Sequence, residues 1–300
     1  MTMSFLERLH NDRMTLYMPM QTFLVEEYGK PMEQHLSEWI LAHPKEYQDA
    51  VRRSFAAGCD MVHTGTQASS RIRAKPFGVE DRVYEFNFKS AKLAREVTPE
   101  GHCVVGNFTS TNPDFLEPVG SITSDEVYEA YKPQILGLAE GGVDVFHAGG
   151  AQLEVSLMIL KMAKELTNIP IMAFNVFYSG KKGFRTMYGL DPETASRKLD
   201  EMGVDLIGAT CGKFSYREAS ELLRQMRKGT NQPLMIQPDA GVAQLIKGET
   251  IYPATPDELE SVLPDWLNAG AWVVGGCCGT SLEHYRRISS VLRERRAKGV

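Results

Sequence analysis

Hydrophobic residues recur along the chain in two alternating modes. Short apolar runs read as buried strands, and longer stretches with apolar positions three and four apart read as helices. Four of the short runs share one lead-in, a small or polar residue and a glycine: AGCDMVHT from Ala57, GGVDVFHA from Gly141, MGVDLIGA from Met202 and AGAWVVGG from Ala269. Each follows an amphipathic stretch, so the repeated unit is a helix, a glycine stop and a strand. Ahead of the third, DPETASRKLDEM opens with Asp191 as N-cap and Pro192 at the first helical position, and the pattern closes at Gly203. Further strands are expected at MTLYMP from Met14, HCVVGNF from His102, IPIMAFNVF from Ile169 and QPLMIQP from Gln232. Eight strands interleaved with helical patterns imply right-handed crossovers and a parallel sheet. In 300 residues they imply a closed (β/α)8 TIM barrel, one domain over residues 1–300. The competing arrangement is an open doubly wound sheet, weakened because no G-x-G-x-x-G follows the first strand.

Enzymes of this architecture work at the C-terminal ends of the strands. Two runs carry thiols there: GATCGKF places Cys211 after the sixth strand, and GGCCGT places Cys277 and Cys278 after the eighth. Neighbouring side chains of a regular strand point to opposite faces, so Cys277 and Cys278 converge only if the chain stops being a strand; Gly275, Gly276 and Gly279 allow that turn. Alternate strands feed one interior layer, so all three thiols are expected at one mouth of the barrel. Cys59 and Cys103 begin their strands at the opposite end and read as small buried apolar residues.

Composition narrows the partners. With 33 basic and 38 acidic residues the formal charge is −5, and no basic patch precedes the last helix, which argues against nucleic acid. The N-terminus has no apolar core segment and no stretch reaches eighteen apolar residues, so a cytoplasmic protein without a membrane partner is expected. Five cysteines is an odd count for a disulfide framework. Three thiolates at one point repel unless a cation holds them, and Zn2+ accepts tetrahedral sulfur ligands. Three protein ligands would leave a fourth position for a reactant thiol, which the metal would deprotonate. The alternatives are a vicinal Cys277–Cys278 disulfide acting as a redox switch, inert buried thiols, and a structural zinc.

These motifs resemble the zinc-dependent homocysteine S-methyltransferase family, which includes betaine–homocysteine methyltransferase and the N-terminal module of cobalamin-dependent methionine synthase. The likeness covers nearly the whole chain. GGCCGTSLEHYRRI is similar to the family's GGCCGT-x-P-x-H-I signature, GATCGKF to its G-x-N-C element, AGCDMVHTGTQ to AGAD-x-(I/V)-x-TNTF, and QPDAGV to a PNAG segment; EGGVDVF also matches. The resemblance implies that Cys211, Cys277 and Cys278 hold zinc. Asp239 stands at the Asn position of the PNAG segment, which supplies an oxygen ligand in some members, so it is a candidate fourth ligand. The implied reaction moves a methyl group between a donor and a thiol, homocysteine by family expectation, in methionine biosynthesis.

Two departures bear on the substrate. Where the family has DGAMGT, LYMPMQT places Tyr17, Met18, Pro19 and Gln21, and the family's Glu after the fourth strand is read here as His147. Tyr17, Gln21 and His147 are therefore the candidate substrate-binding residues, and His147 a candidate acid or base. A non-homocysteine substrate and an inactive docking barrel are the rival readings. His63 ends the second strand on the same face. The loop SSRIRAKPFGVED brings Arg71, Arg73 and Lys75 toward the mouth, as an anion clamp, a partner contact or a solvated loop. A methylcorrinoid donor would come as a free cobalamin or on a separate protein; small onium donors are the other class.

Overall fold

The computed structural model describes residues 4–17, 19–110, 116–246 and 249–298. Eight parallel strands close a barrel: β1 (Met14–Tyr17), β2 (Met61–His63), β3 (Cys103–Thr109), β4 (Val145–Gly150), β5 (Ile171–Asn175), β6 (Leu206–Thr210), β7 (Leu234–Gln237) and β10 (Ala271–Gly275). All eight fall on the apolar runs of the sequence. The helices predicted between them are α4 (Pro44–Ala56), α6 (Val83–Arg95), α7 (Ser124–Gly141), α8 (Leu153–Leu166), α9 (Pro192–Asp200), α10 (Ala219–Arg227), α11 (Pro256–Asn268) and α12 (Leu282–Ala297). The barrel closes by β1 pairing with both β2 and β10, which rules out the open sheet.

The glycine repeat has a structural cause. Gly58, Gly142, Gly203 and Gly270 all take positive φ, between 66 and 100°, where a side chain is strained, so each ends its helix and turns the chain into the next strand. In three of the four repeats the Asp two residues later reaches a neighbouring strand. Asp60 accepts from the Thr15 N–H at 2.9 Å, Asp144 from Val104 at 2.7 Å and Asp205 from Ile171 at 2.8 Å. Each carboxylate thus satisfies a backbone donor at the start of the preceding strand. Trp272 takes that place in the fourth repeat.

Inside the barrel lie Met14, Leu16, Met61, Val105, Val145, Met172, Leu206, Met235 and Val273; the outward residues pack under the helices. Cys103 points into the lower interior and Cys59 into the helix layer, both buried. Four α-helices among the described residues lie outside the repeat. α1 (Phe5–Asn11) closes the bottom with Phe5 and Leu9, started by a capping box between Ser4 and Glu7 and tied by an Arg8–Asp60 ion pair at 2.6 Å. Burying those two side chains stabilises by roughly 1.5–3 kcal/mol each. α2 (Met20–Tyr28) and α3 (Leu36–Ala42) precede α4. A short helix, α5 (Arg71–Ala74), follows β2, and an antiparallel hairpin, β8 (Gln244–Ile246) and β9 (Glu249–Ile251), stands between β7 and α11.

Replacing Asp205 by Ala strips the acceptor from the Ile171 N–H. The expected loss is about 1–3 kcal/mol of unfolding free energy, seen as a lower urea midpoint at unchanged slope, with Asp205→Asn keeping most of the stability.

Candidate metal centre

Strand β7 lies between β6 and β10, and the chain just beyond it holds both cysteine loops. The Gln237 carbonyl accepts from the Cys211 N–H at 2.9 Å, and the Pro238 carbonyl from the Cys277 N–H at 2.9 Å. Ala240 donates to the Cys278 carbonyl at 2.8 Å, and the Cys278 N–H donates to the Asp239 carboxylate at 3.0 Å. Cys211 needs φ of 54°, and Gly212 has no room for a side chain because a Cβ would lie 2.1 Å from the Phe177 carbonyl. Beyond β10, a Cβ on Gly276 would strike Thr280 at 2.2 Å, and one on Gly279 would strike the Tyr252 side chain at 2.3 Å. Thr280 in turn donates to the Cys277 carbonyl, and Tyr285 to the Gly276 carbonyl, so the GGCCGT turn is fastened from within.

One donor atom each from Cys211, Asp239, Cys277 and Cys278 lies within 4.8 Å of the others. The Cys211 and Cys277 sulfurs are in contact, with Cα atoms 5.7 Å apart, and the Cys278 sulfur lies 4.0 Å from that of Cys277. The Cys277 and Cys278 sulfurs, weighed from the sequence as a vicinal pair, are not bonded to each other here. A metal takes these sulfurs in their reduced state. Burial pushes the Cys278 thiol up to about 11, with Asp239 adding to the rise and Tyr252 opposing it. Burial likewise raises the Asp239 carboxyl to about 6, against hydrogen bonds from Cys278. Tyr252 is raised by burial and by Cys278 beside it. Tyr252 and Thr210, whose hydroxyl lies 3.9 Å from the Cys211 sulfur, are contacts the sequence did not single out. A polar residue directly before or after a cysteine-bearing turn was the signal for Thr210; nothing local marked Tyr252.

The substrate candidates lie elsewhere than expected. Tyr17 is outward on β1, fully buried in the helix layer against Phe23 and 4.6 Å from the Tyr285 ring. Gln21 is half-buried in the first turn of α2, and Met18 lies outside the described residues. His147 is the third residue of β4 rather than its end, inside the barrel and fully buried. Carried round by the strand registers, His63, His147, Gly208 and Gly275 occupy one interior level on alternate strands, and Cys277 follows Gly275 by two residues. The two imidazoles, 4.9 Å apart, therefore floor the cysteine cluster, with Phe174 4.3 Å from His147. Met235 and Gln237 fill the space that side chains at the two glycines would need. Among the described residues, neither ring nitrogen of His147, nor Nε2 of His63, has a hydrogen-bond partner. Burial drives His63 down to about 3 and His147 well below its ordinary value, so both are neutral. Of the loop cations, Arg71 and Lys75 are exposed, and burial lowers the half-buried Arg73.

Around the mouth, Val119, Met187, Tyr188, Leu245, Ile246 and Ile251 expose large apolar side chains, Val119 and Leu245 by 82% and 77%. A groove of about 300 Å³ between Leu116, Glu117, Glu154, Val155 and Tyr188 lies on the β3–β5 side, across from the cysteines. No helix among the described residues is long and apolar enough to cross a membrane.

Residues 18–292 match the family model described as homocysteine S-methyltransferase. The chain belongs to the homocysteine S-methyltransferase family. The GGCCGT and GATCG motifs lie within the matched residues. Two methionine synthases are similar, those of Mycobacterium leprae (strain TN), 27% identical over 262 residues, and Mycobacterium tuberculosis (strain ATCC 25618 / H37Rv), 28% over 263; each alignment takes in 83% of this chain. This chain spans only 21% and 22% of their lengths. Among solved structures, the oxidized and metallated forms of the homocysteine methyltransferase MmuM from Escherichia coli each match with a TM-score of 0.75 at 17% identity, over 94% of this chain and 96% of theirs, a likeness of fold.

The buried neutral histidines give a pH dependence with a definite sign. Their folded pKa values lie below the unfolded value of about 6.5, so below that pH the unfolded chain takes up protons that the fold does not, and stability falls on acidification. Each histidine contributes a slope of up to about 1.4 kcal/mol per pH unit below pH 6. Urea titrations from pH 7.5 to 5 should show this fall, and His147→Leu should flatten it whatever the variant's absolute stability.

Proposed function

We propose that this chain transfers a methyl group from a donor to a small thiol at a zinc centre held by Cys211, Cys277 and Cys278, with Asp239 as the oxygen donor of the resting site. The observation that carries this reading is the convergence of three sulfurs and one carboxylate within 4.8 Å, from the ends of β6, β7 and β10. The donor set suits zinc: thiolate sulfur is its preferred structural ligand, and one exchangeable oxygen leaves the coordination open to a reactant. When bound, zinc supplies Lewis acidity that makes an incoming thiol a nucleophile at neutral pH. The protein's own share is positional. The β7 clasp fixes the sulfurs, Asp239 would hold the ion as its oxygen donor, and the uncharged floor of His63 and His147 offers no competing anion below. Homocysteine, the acceptor named in the family's description, is the acceptor proposed here.

The apolar rim favours a donor carried on a protein, and we propose a methylcorrinoid supplied in trans, either on a corrinoid protein or as free methylcobalamin. The methionine synthases extend well beyond the region they share with this chain, which suits a division of the reaction between modules.

The reduced protein should bind about one zinc per chain and Cys211→Ser or Cys278→Ser should lose most of it. Incubated with methylcobalamin and a panel of thiols, the zinc-loaded protein should demethylate cobalt and add one methyl to homocysteine in preference to the other thiols. Full zinc with no methyl transfer to any thiol would sink the catalytic reading and favour a docking barrel.

A further inference from the structure

Tyr252 follows directly on β9 and lies across the GGCCGT turn: its Cβ, Cγ and Cδ2 atoms occupy the space within 2.3–2.7 Å of where a Gly279 side chain would start. The segment carrying it is clipped to the chain beyond β7, with Ala254 donating to the Ala240 carbonyl at 2.9 Å and Pro253 and Ala254 packed on Gly241. The same few residues thus position Asp239, Cys278 and the phenol. The Tyr252 ring packs on Gly279, the residue after Cys278, so the phenol and the Cys278 thiol lie close enough to act on each other, and Asp239 is close enough to act on the phenol.

A methyl-transfer site built on thiolates faces a chemical problem. An activated methyl group brought to the mouth meets the substrate sulfur and also the ligand sulfurs, and a ligand that took the methyl would become a neutral thioether and a poor metal ligand. Cys277 is shielded by burial, being only 6% exposed. Cys278 is more open. We infer that Tyr252 is a positioning residue that donates its phenol O–H to the Cys278 sulfur and so suppresses methylation of that ligand, leaving the substrate thiol as the acceptor. A hydrogen bond to an anionic sulfur withdraws the lone-pair density that would attack carbon, and the rigid clip keeps the donor in place. The inference rests on the zinc reading above.

The side reaction can be run directly with methyl iodide as the probe. The Cys278 sulfur forms an S–CH3 bond, the carbon–iodine bond breaks, and iodide leaves with the bonding pair. In the zinc-loaded full chain, Tyr252→Phe keeps the ring against Gly279 and removes only the hydroxyl. Peptide mass mapping should show methylation of Cys278 faster by about tenfold in the variant, the scale expected for one hydrogen bond to a charged group, at unchanged zinc content. In cobalt-substituted protein the sulfur-to-cobalt charge-transfer band should move to longer wavelength in the variant, since an unbonded sulfur gives up charge more easily; loss of packing alone would not do this. Equal methylation rates with an unmoved band at full zinc would overturn the role of Tyr252 and leave the zinc reading standing. Wild-type protein that takes up no zinc would overturn both.

Discussion

The site depends on one constraint: the chain leaving β7 is hydrogen-bonded to the two cysteine-bearing turns on either side of it. Gln237 holds Cys211, Pro238 holds Cys277, and Asp239 and Ala240 hold Cys278. Backbone bonds of this kind do not depend on the state of the sulfurs. The three thiols are brought together by the sheet, and whatever joins them, a covalent bond or a cation, is added to a geometry already made. Left without a cation, the charged forms are disfavoured, because burial raises both Cys278 and Asp239 and Asp239 raises Cys278 further. A divalent ion reverses that preference. This is the physical reason to read a converged set of raised acids as a cation site and not as packing.

The barrel was legible because its helix, glycine and strand units repeat, and because the repeat answers a steric demand. A chain that ends a helix and enters a parallel strand in two or three residues needs a left-handed residue at the join, and only glycine takes it freely at Gly58, Gly142, Gly203 and Gly270. The aspartates of the repeat were visible as a pattern but not as a function, since their partners, Thr15, Val104 and Ile171, lie on strands far away in sequence. The cysteine site was legible for a similar reason: two adjacent thiols among glycines make no sense in a regular strand.

Side-chain direction was not legible. Strands of a closed parallel barrel are buried on both faces, so apolar and polar residues do not alternate in a way that marks inside from outside. Tyr17 ends a strand buried at all four positions and turned out to face the helices; His147, read as a strand end, sits inside one level beneath the cysteines. Only the strand registers decide such cases. The hairpin of β8 and β9 escaped notice because its exposed Leu245, Ile246 and Ile251 give no buried face to read, and α1 because its short apolar pair, Phe5 and Leu9, closes a barrel end that does not exist until the sheet has formed.

The same contrast separates the two halves of the chemistry. Everything that would hold the acceptor comes from strand ends and the turns fastened to them, where a displacement of a sulfur must break backbone hydrogen bonds. The apolar rim that would meet the donor comes from the loops after β3 and β5 and from the hairpin, outside the clasp around β7. A small acceptor bound by a single sulfur gains from a rigid seat, because its other contacts are few and orientation must come from the metal ligands. A large donor that must arrive, react and leave gains from a surface whose apolar area is spread over separate segments, since such a surface can meet a partner without a deep fixed cleft and release it without dismantling the centre. Tyr252 stands where the two meet, at the root of the hairpin and against the Cys278 turn, so it links an approach at the rim to the Cys278 sulfur.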